Sequence, residues 1–206
     1  LRMSVAVAPP APRKGRPRDE RIDHEITSAA LLVLADTGFA GFSIAEVAAR
    51  AGVAKTTVYR RFPTRDDLLA AALERLNDDL PPPPSTGSVR DQLVEALDGI
   101  RRRTPDSTRG RILMHVVGEG AREPRLAELV HDRVLAPRRR ILSDIIERGM
   151  ASGELRADLD VTAVIPVLVG PMLYLGMWRM CSAAQQVSVE SVVDVLMTGM
   201  TRAIES

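Results

Sequence analysis

The polar residues with the most informative spacing in this sequence stand between positions 55 and 62. If this segment is helical, Val58 and Phe62, one turn apart, share the buried face. The opposite face is polar and cationic and carries Lys55, Thr56, Tyr59 and Arg60. Such side chains neutralise phosphates, reach guanine edges, touch thymine methyl groups or donate a hydroxyl to a phosphate oxygen. The pattern predicts that this face contacts a nucleic acid, and Thr57, on the flank of the helix, is a weaker candidate for a base contact. The alternative is an ordinary solvated helix face.

A tight turn is predicted just before this segment. Ser43, with Glu46 three residues later, forms the capping-box pattern that starts a helix. Ala48 is small enough for two helices to cross closely, and Gly52 can adopt the left-handed conformation of a turn. Val58 is expected to fill the space between the two helices. Together these residues predict a helix-turn-helix, in which the second helix enters the major groove of DNA.

The charge distribution agrees with this prediction. Residues 1–65 contain 11 Lys or Arg and 6 Asp or Glu, a balance of +5, whereas residues 66–206 have a balance of −4. The front third is therefore expected to meet a polyanion. Basic residues with no acid among them precede the first helix, namely Arg13, Lys14, Arg16 and Arg18. We expect them to form an arm in the minor groove, the alternative being a solubilising tail.

Apolar residues recur at the helical period along most of the chain, and no stretch alternates as a strand does, so we predict an all-α fold of about nine helices. The first helix has an apolar stripe and ends near Gly38. Its stripe consists of Ile22, Ile26, Ala29 and Val33. Pro63 stops the helix that begins at Lys55, because proline disfavours helical geometry in the preceding residue. Thr64 caps the next helix, whose inward residues are Leu68, Leu69, Ala72, Leu73 and Leu76.

The prolines at 81–84 and the polar residues after them predict a stiff connector between two domains. Further helices are expected at about 89–103, 108–121, 124–152, 160–182 and 188–204. Pro137 should bend or split the third of these.

Residues 161–178 are uncharged and reach the length at which a membrane span becomes conceivable. Because prolines and glycines interrupt them and no Lys or Arg cluster flanks them, we expect a buried helix at a protein interface, no membrane partner and a cytoplasmic protein.

The composition excludes several classes of protein. With 45% hydrophobic and 27% charged residues, the chain is globular and not mainly disordered. Its one cysteine, Cys181, cannot form an intramolecular disulfide and leaves no cysteine zinc site. The histidines, His24, His115 and His131, lack metal-site spacing. Because no nucleophile elbow, phosphate loop or paired-carboxylate pattern is present, we expect neither an enzyme nor a cofactor nor a metal.

The segment from Gly52 to Leu69, which reads GVAKTTVYRRFPTRDDLL, resembles the signature of the tetracycline-repressor (TetR) family of bacterial transcription regulators. The likeness covers residues 20–70. It implies a three-helix DNA-binding head, a fourth helix that links it to a ligand-binding body, and a homodimer formed by the last two helices. On this basis we divide the chain into a basic flexible arm at 1–18, a head with its linking helix at 19–80, and a ligand-binding and dimerisation domain at 81–206.

The resemblance also implies roles for single residues. Ser43 stands where family members place a hydroxyl that holds a phosphate, and Lys55, Tyr59 and Phe62 match the usual residues of the recognition helix. Arg65 replaces a common lysine and is expected to keep the phosphate contact. Two residues depart from the family pattern: Thr56, where glycine is frequent, and Arg61, where histidine or an aromatic residue is frequent. Both are expected to border the bases, so the operator sequence does not follow from the family.

The rear half contains candidate ligand-binding residues on two predicted helices. They are Met114, His115, Glu119, Tyr174, Met177 and Trp178. Methionines and aromatic residues suit an apolar or aromatic small molecule, and the family resemblance suggests a cavity here. The alternative is that these residues belong to the core or to an interface, as such stripes usually do.

The last predicted helix needs an apolar partner. Its stripe consists of Val189, Val192, Leu196, Met200 and Ala203, and together with the uncharged 161–178 helix it could form half of a two-fold four-helix interface. Our hypothesis is a homodimeric repressor that a small-molecule effector releases from a palindromic double-stranded DNA operator. The alternatives are a ligand-independent or activating regulator and a small helical enzyme or membrane-associated module.

Overall fold

The computed structural model describes residues 20–78, 80, 82–103, 108–181 and 188–201, without the side chains of residues 102, 103 and 175–181. These residues form helices and no strand, so the predicted all-α class is confirmed. The helices are α1 (Glu20–Gly41), α2 (Ile44–Arg50), α3 (Lys55–Arg61), α4 (Arg65–Glu74), α5 (Val89–Arg103), α6 (Thr108–Gly120), α7 (Pro124–Val130), α8 (Ala136–Ser152), α9 (Val161–Cys181) and α10 (Val189–Met200).

Helix α1 changes direction at Gly38, close to where the sequence predicts its end. Gly38 has φ 69° and ψ 178°, a backbone conformation outside the helical region that strongly favours glycine. The stripe residues Ile26, Ala29 and Val33 are buried, and Ile22 is partly buried against the same core. The kink directs the chain away from the axis of α1 and into α2.

The caps of α2 and α4 differ. Thr64 caps α4 as predicted, and it forms a full capping box with Asp67: the Thr64 hydroxyl accepts from the Asp67 N–H, and the Asp67 carboxylate accepts from the Thr64 N–H. The predicted box of Ser43 and Glu46 is wrong. Ser43 has the extended backbone of a cap, but its hydroxyl makes no cap hydrogen bond. Glu46 instead lies 3.6 Å from the guanidinium of Arg50, one turn along α2.

The chain between α7 and α8 forms a π-helical turn, His131–Leu135, directly before Pro137. Proline has no N–H and its ring collides with the preceding turn, so the regular hydrogen-bond ladder cannot continue through it. The side chain of Asn77 donates to the carbonyls of Arg133 (3.0 Å) and Val134 (3.3 Å) in this turn. The predicted break at Pro137 is therefore present, and an interaction with the chain after α4 stabilises it.

The buried side chains form two cores that do not follow the chain order. The first core joins α1–α4 to α6, α7 and the π-helical turn, with Ile112, Val116 and Leu126 buried beside residues of the head. The second core contains α5, α8, α9 and α10. Described residues 82–88 run between α4 and α5 without helix. Because α6 and α7 share a core with the head, their position and that of the head are mechanically linked.

Helix α9 begins after Asp160, whose carboxylate accepts from the hydroxyl (2.6 Å) and the N–H (2.8 Å) of Thr162. These hydrogen bonds stabilise the charged form and lower the pKa of the Asp160 carboxyl. One face of α9 is buried through Ile165, Leu168 and Met172. In the part of the chain that the structure describes, no helix is both long enough and apolar enough to span a bilayer.

Candidate nucleic-acid interface

Helices α2 and α3 are joined by the turn that the sequence predicts at Gly52. Gly52 has φ 66°, in the left-handed region, and a side chain there would be strained even though its surroundings are open. The N–H groups of Gly52 and Val53 donate to the carbonyls of Ala49 (3.2 Å) and Ala48 (3.0 Å), which closes the turn. Ala48 is buried, as its small size at a helix crossing predicts. The helix-turn-helix is therefore present.

Helix α3 has one buried face and one solvent face. Val58 is fully buried and Phe62, which follows the helix, is 8% exposed. The solvent face carries four exposed residues: Lys55, Thr56, Tyr59 and Arg60. Tyr59 is 51% exposed, and Thr57 is half-buried on the flank. Among the described residues, none of the four exposed side chains has a hydrogen-bond or ion-pair partner, so their donors are available to another molecule.

Arg61 is less exposed than the four residues of the solvent face, and its place beside the bases stays a prediction. Its guanidinium forms an ion pair with Asp23 of α1, and its side chain is only 12% exposed. The helical period alone does not separate the two cations, because Lys55, three residues before Val58, lies at the same angle from it and is exposed; the position of Asp23 on α1 decides the contact. Arg61 therefore attaches α3 to α1.

Arg65 is partly exposed and makes contacts within the head, and its phosphate contact stays a prediction. At the first position of α4, its guanidinium donates to the backbone carbonyl of Phe39 and lies 4.2 Å from the centre of the Phe39 ring. The Phe42 ring centre is 5.6 Å away. A cation over two aromatic rings is attracted by their negative faces. These contacts hold the Arg65 guanidinium against the end of α1.

Ser43 is half-buried at the start of α2, and its hydroxyl makes no capping bond. That hydroxyl can therefore bind a phosphate, as the family resemblance implies. The predicted arm residues Arg13, Lys14, Arg16 and Arg18 lie outside the described residues.

The candidate ligand-binding residues separate into two places. Met114, His115 and Glu119 line a cleft of about 720 Å³ between the kinked end of α1 and the end of α6. We call this space the α1–α6 cleft; its other walls include Asp36, Thr37, Gly38 and Arg122. Tyr174 lies outside this cleft, and its side chain is 62% exposed on α9. The side chains of Met177 and Trp178 lie outside the described part of the chain.

One contact at this cleft involves a residue that the sequence does not single out. The backbone N–H of Phe39 donates to Glu119 Oε1 at 2.7 Å, although the two residues are 80 positions apart. Gly38 is the only sequence signal near Phe39, because a break in a helix leaves backbone groups that need new partners. Nothing in the spacing of the chain identifies Glu119 as that partner.

Comparison with known proteins agrees with this geometry. Residues 26–72 match the family model described as bacterial regulatory proteins, tetR family. Residues 83–198 match the model described as tetracyclin repressor-like, C-terminal domain. The chain therefore belongs to the TetR family of helix-turn-helix transcriptional regulators. Such regulators bind DNA and small-molecule ligands.

Individual relatives cover most of the chain. It is 33% identical over 191 residues to the helix-turn-helix transcriptional regulator YdeS of Bacillus subtilis, which covers 90% of this chain and 91% of YdeS. It is 26% identical over 147 residues to the DNA-binding transcriptional repressor TetR of Mycobacteroides abscessus, covering 69% and 75% of the two chains. A crystal structure assigned to the TetR family, from Rhodococcus sp., has a TM-score of 0.67 and 25% identity, covering 87% of this chain and all of that one.

Proposed function

We propose that this regulator is a homodimeric repressor that binds a palindromic DNA operator and leaves it when a small molecule binds. The observation that carries the DNA-binding part is the solvent face of α3, whose cationic and hydroxyl side chains lack partners among the described residues while Val58 and Phe62 anchor the helix from behind. The repressor role is supported by the similarity to the M. abscessus protein, which is named a repressor.

The side chains have separate tasks in the proposed complex. Lys55 and Arg60 attract phosphates or reach guanine edges, and Thr56 is placed to touch a base or a phosphate. Tyr59 and Ser43 donate hydroxyls to phosphate oxygens and so set the register of the head on the duplex. Thr57 makes a smaller contribution. The basic arm formed by Arg13, Lys14, Arg16 and Arg18 adds attraction that depends on salt.

The dimer is supported by apolar surface on the last two helices. On α9, Val167 is 52% exposed and Leu173 40% exposed, and Tyr174 lies beside them. On α10, Val195 is 75% exposed. A second copy of the chain that covers these faces would form a four-helix interface about a two-fold axis. Two recognition helices held about 34 Å apart then meet successive major grooves.

The effector is proposed to enter the α1–α6 cleft, where Met114, His115 and Glu119 meet the end of α1. A ligand there contacts the body and the head at the same time, so its affinity depends on how the two are arranged. A ligand that prefers an arrangement with wrongly spaced recognition helices lowers the affinity for the operator by that preference. Tyr174, Met177 and Trp178 remain proposed ligand contacts from α9, of which Tyr174 does not line the α1–α6 cleft.

The test is a selection of bound fragments from random duplex DNA at a stated salt concentration. We expect an enriched inverted repeat whose half-site centres are about one helical turn apart, because two-fold symmetry in the protein requires symmetry in the site. Recovery of no preferred sequence would contradict sequence-specific DNA binding. Recovery of a single half-site would contradict the dimer.

A further inference from the structure

The backbone N–H and C=O of Phe39, which belong to the peptide units before and after its Cα, each bind a side chain distant in sequence. Its N–H donates to Glu119 Oε1 of α6 at 2.7 Å, and its carbonyl accepts from the Arg65 guanidinium at the start of α4. Phe39 itself is 9% exposed. The carbonyl also accepts from the Phe42 N–H at 3.4 Å, whereas the N–H has Glu119 as its acceptor. Because an N–H removed from water needs an acceptor, the Glu119 contact holds this backbone segment in position. We call the contacts with Glu119 and Arg65 the Phe39 clamp.

One side of the Phe39 clamp reaches the helix-turn-helix directly. The Arg65 guanidinium covers the ring of Phe39 and approaches that of Phe42, the residue before Ser43 and the start of α2. Arg65 also follows α3 after only three residues. A displacement of Phe39 is therefore transmitted to the beginning of α2 and to the end of the recognition helix.

The other side of the Phe39 clamp reaches the body through a carboxylate in an unusual environment. Glu119 Oε2 is buried and has no hydrogen-bond partner among the described residues. The approach depends on Gly38, because a Cβ on that residue would stand 2.7 Å from Glu119 Oε1. Glu119 also forms a wall of the α1–α6 cleft. The carboxylate therefore lies where a ligand in the cleft and the head both meet α6.

Two ion pairs between head and body are more exposed, whereas the hydrogen bonds from Arg138 to Asn77 and to the Leu76 carbonyl, at the other end of α4, are also partly buried. Arg133 forms an ion pair with Glu74 at 2.8 Å, and both side chains are about half exposed. Arg125 pairs with Asp66 at 2.6 Å, also at the surface. Exposed ion pairs contribute little to a fixed geometry because water screens them. Among the partly buried links, the hydrogen bond from Phe39 to Glu119 is the one at the α1–α6 cleft and close to the start of α2, so it is the candidate link between the cleft and the orientation of the head.

We propose that Glu119 is a positioning residue for DNA binding: through the Phe39 clamp it sets the orientation of the head on the body, and so the spacing of the two recognition helices in the dimer. This role rests on the proposed function. An occupant of the α1–α6 cleft that moves α6 or engages Glu119 releases the Phe39 N–H. The head then loses its fixed orientation. The two recognition helices no longer match the spacing of the operator half-sites, so the affinity for the operator falls.

The experiment compares full-length wild type with Glu119→Ala, which removes the acceptor, and Glu119→Gln, which keeps an acceptor oxygen of the same reach. Glu74→Ala is the matched control, since it removes a glutamate from an exposed head–body contact. Each protein is titrated with the duplex recovered by selection and with duplexes whose half-sites are moved apart by one and two base pairs. Amide hydrogen exchange is measured at Phe39.

We expect Glu119→Ala to bind the selected duplex up to about tenfold more weakly, as one lost hydrogen bond allows. It should also lose most of the wild-type preference for the correct spacing, and its Phe39 amide should exchange faster. Glu119→Gln and Glu74→Ala should behave like wild type. A residue that only stabilised the fold would lower the thermal midpoint without changing the spacing preference of the folded protein.

Retention of the wild-type spacing preference by Glu119→Ala would overturn the role while leaving the proposed function intact. If that variant does not fold, Glu119→Asp replaces it, because its shorter side chain withdraws the acceptor but keeps the charge; the same readouts apply. A wild type that selects no duplex contradicts the proposed function and, with it, this role.

Discussion

At the scale of the residue, neighbouring positions of α3 serve different purposes. Val58 is completely buried, whereas Tyr59 is 51% exposed. Burying an aliphatic side chain stabilises the folded head, but an exposed polar side chain without a partner contributes little to folding. Substitutions on the two faces should therefore be separable: the inner face affects stability and the outer face affects DNA binding.

Lys55→Ala should weaken binding to the selected duplex and reduce the slope of log affinity against log salt by about 1, because one phosphate contact and its counterion release are lost. The thermal midpoint should not change, since Lys55 has no partner among the described residues. Fluorescence anisotropy over a range of salt concentrations measures the slope.

Arg61→Ala is the matched control for Lys55→Ala, because it also removes one positive charge from α3. It should lower the thermal midpoint, because a partly buried ion pair with Asp23 is lost, and leave the salt slope of the folded protein unchanged. A reduced slope in Arg61→Ala would show that this side chain leaves Asp23 to bind DNA.

At the scale of the element, the caps of α2 and α4 provide a second contrast. Thr64→Ala should lower the free energy of unfolding by about 1 kcal/mol, because the Asp67 N–H loses its acceptor. Ser43→Ala should leave that free energy nearly unchanged, because its hydroxyl makes no cap bond, but should weaken operator binding. Urea denaturation and anisotropy test the pair. Equal destabilisation by both substitutions would show that Ser43 caps α2 after all.

The kink in α1 is a second local feature whose effect on stability can be tested. Gly38→Ala should destabilise the protein by about 1–3 kcal/mol, because an L-residue is strained at this backbone conformation. The added methyl group also collides with Glu119. Gly118→Ala on α6 is the control, since an added Cβ there meets nothing within 4 Å; it should stabilise the helix by about 0.5–1 kcal/mol. Denaturant midpoints that move in the same direction would contradict this account.

At the scale of the whole molecule, the protomer has a buried second core and an exposed apolar surface on the same helices. The inner residues of α9 and α10, such as Leu168 and Val193, are fully buried. The outer residues Val167 and Val195 are more than half exposed. Apolar surface gathered on two adjacent helices is typical of an interaction site and not of an ordinary surface.

Val167→Glu and Val195→Glu should each shift the protein from dimer to monomer, because an unpaired charge would be buried at the two-fold interface. Affinity for the inverted repeat should fall with dimerisation. Leu135→Glu is the control: this residue is also exposed and apolar, at 39%, but lies in the π-helical turn away from α9 and α10. Sedimentation velocity measures the assembly. Dimers that persist in both variants would place the interface elsewhere.

The local features of the head could be predicted from the sequence by itself. The turn at Gly52, the limits of α3 and the cap at Thr64 follow from residue types a few positions apart, because backbone preferences and the helical period act over one or two turns. The burial of Val58 and the exposure of Tyr59 follow from the same period. The π-helical turn before Pro137 is a further case in which one residue determines a break.

Only the tertiary structure decided which distant groups meet. Arg61 pairs with Asp23, Arg65 binds the carbonyl of Phe39, and Glu119 accepts its N–H. A long charged side chain turns towards whatever partner helix packing brings within reach, and spacing along the chain does not encode that choice. The grouping of α6 and α7 with the head has the same origin. An amphipathic pattern shows that a helix buries one face, but the shapes of the assembled helices determine which neighbour covers it.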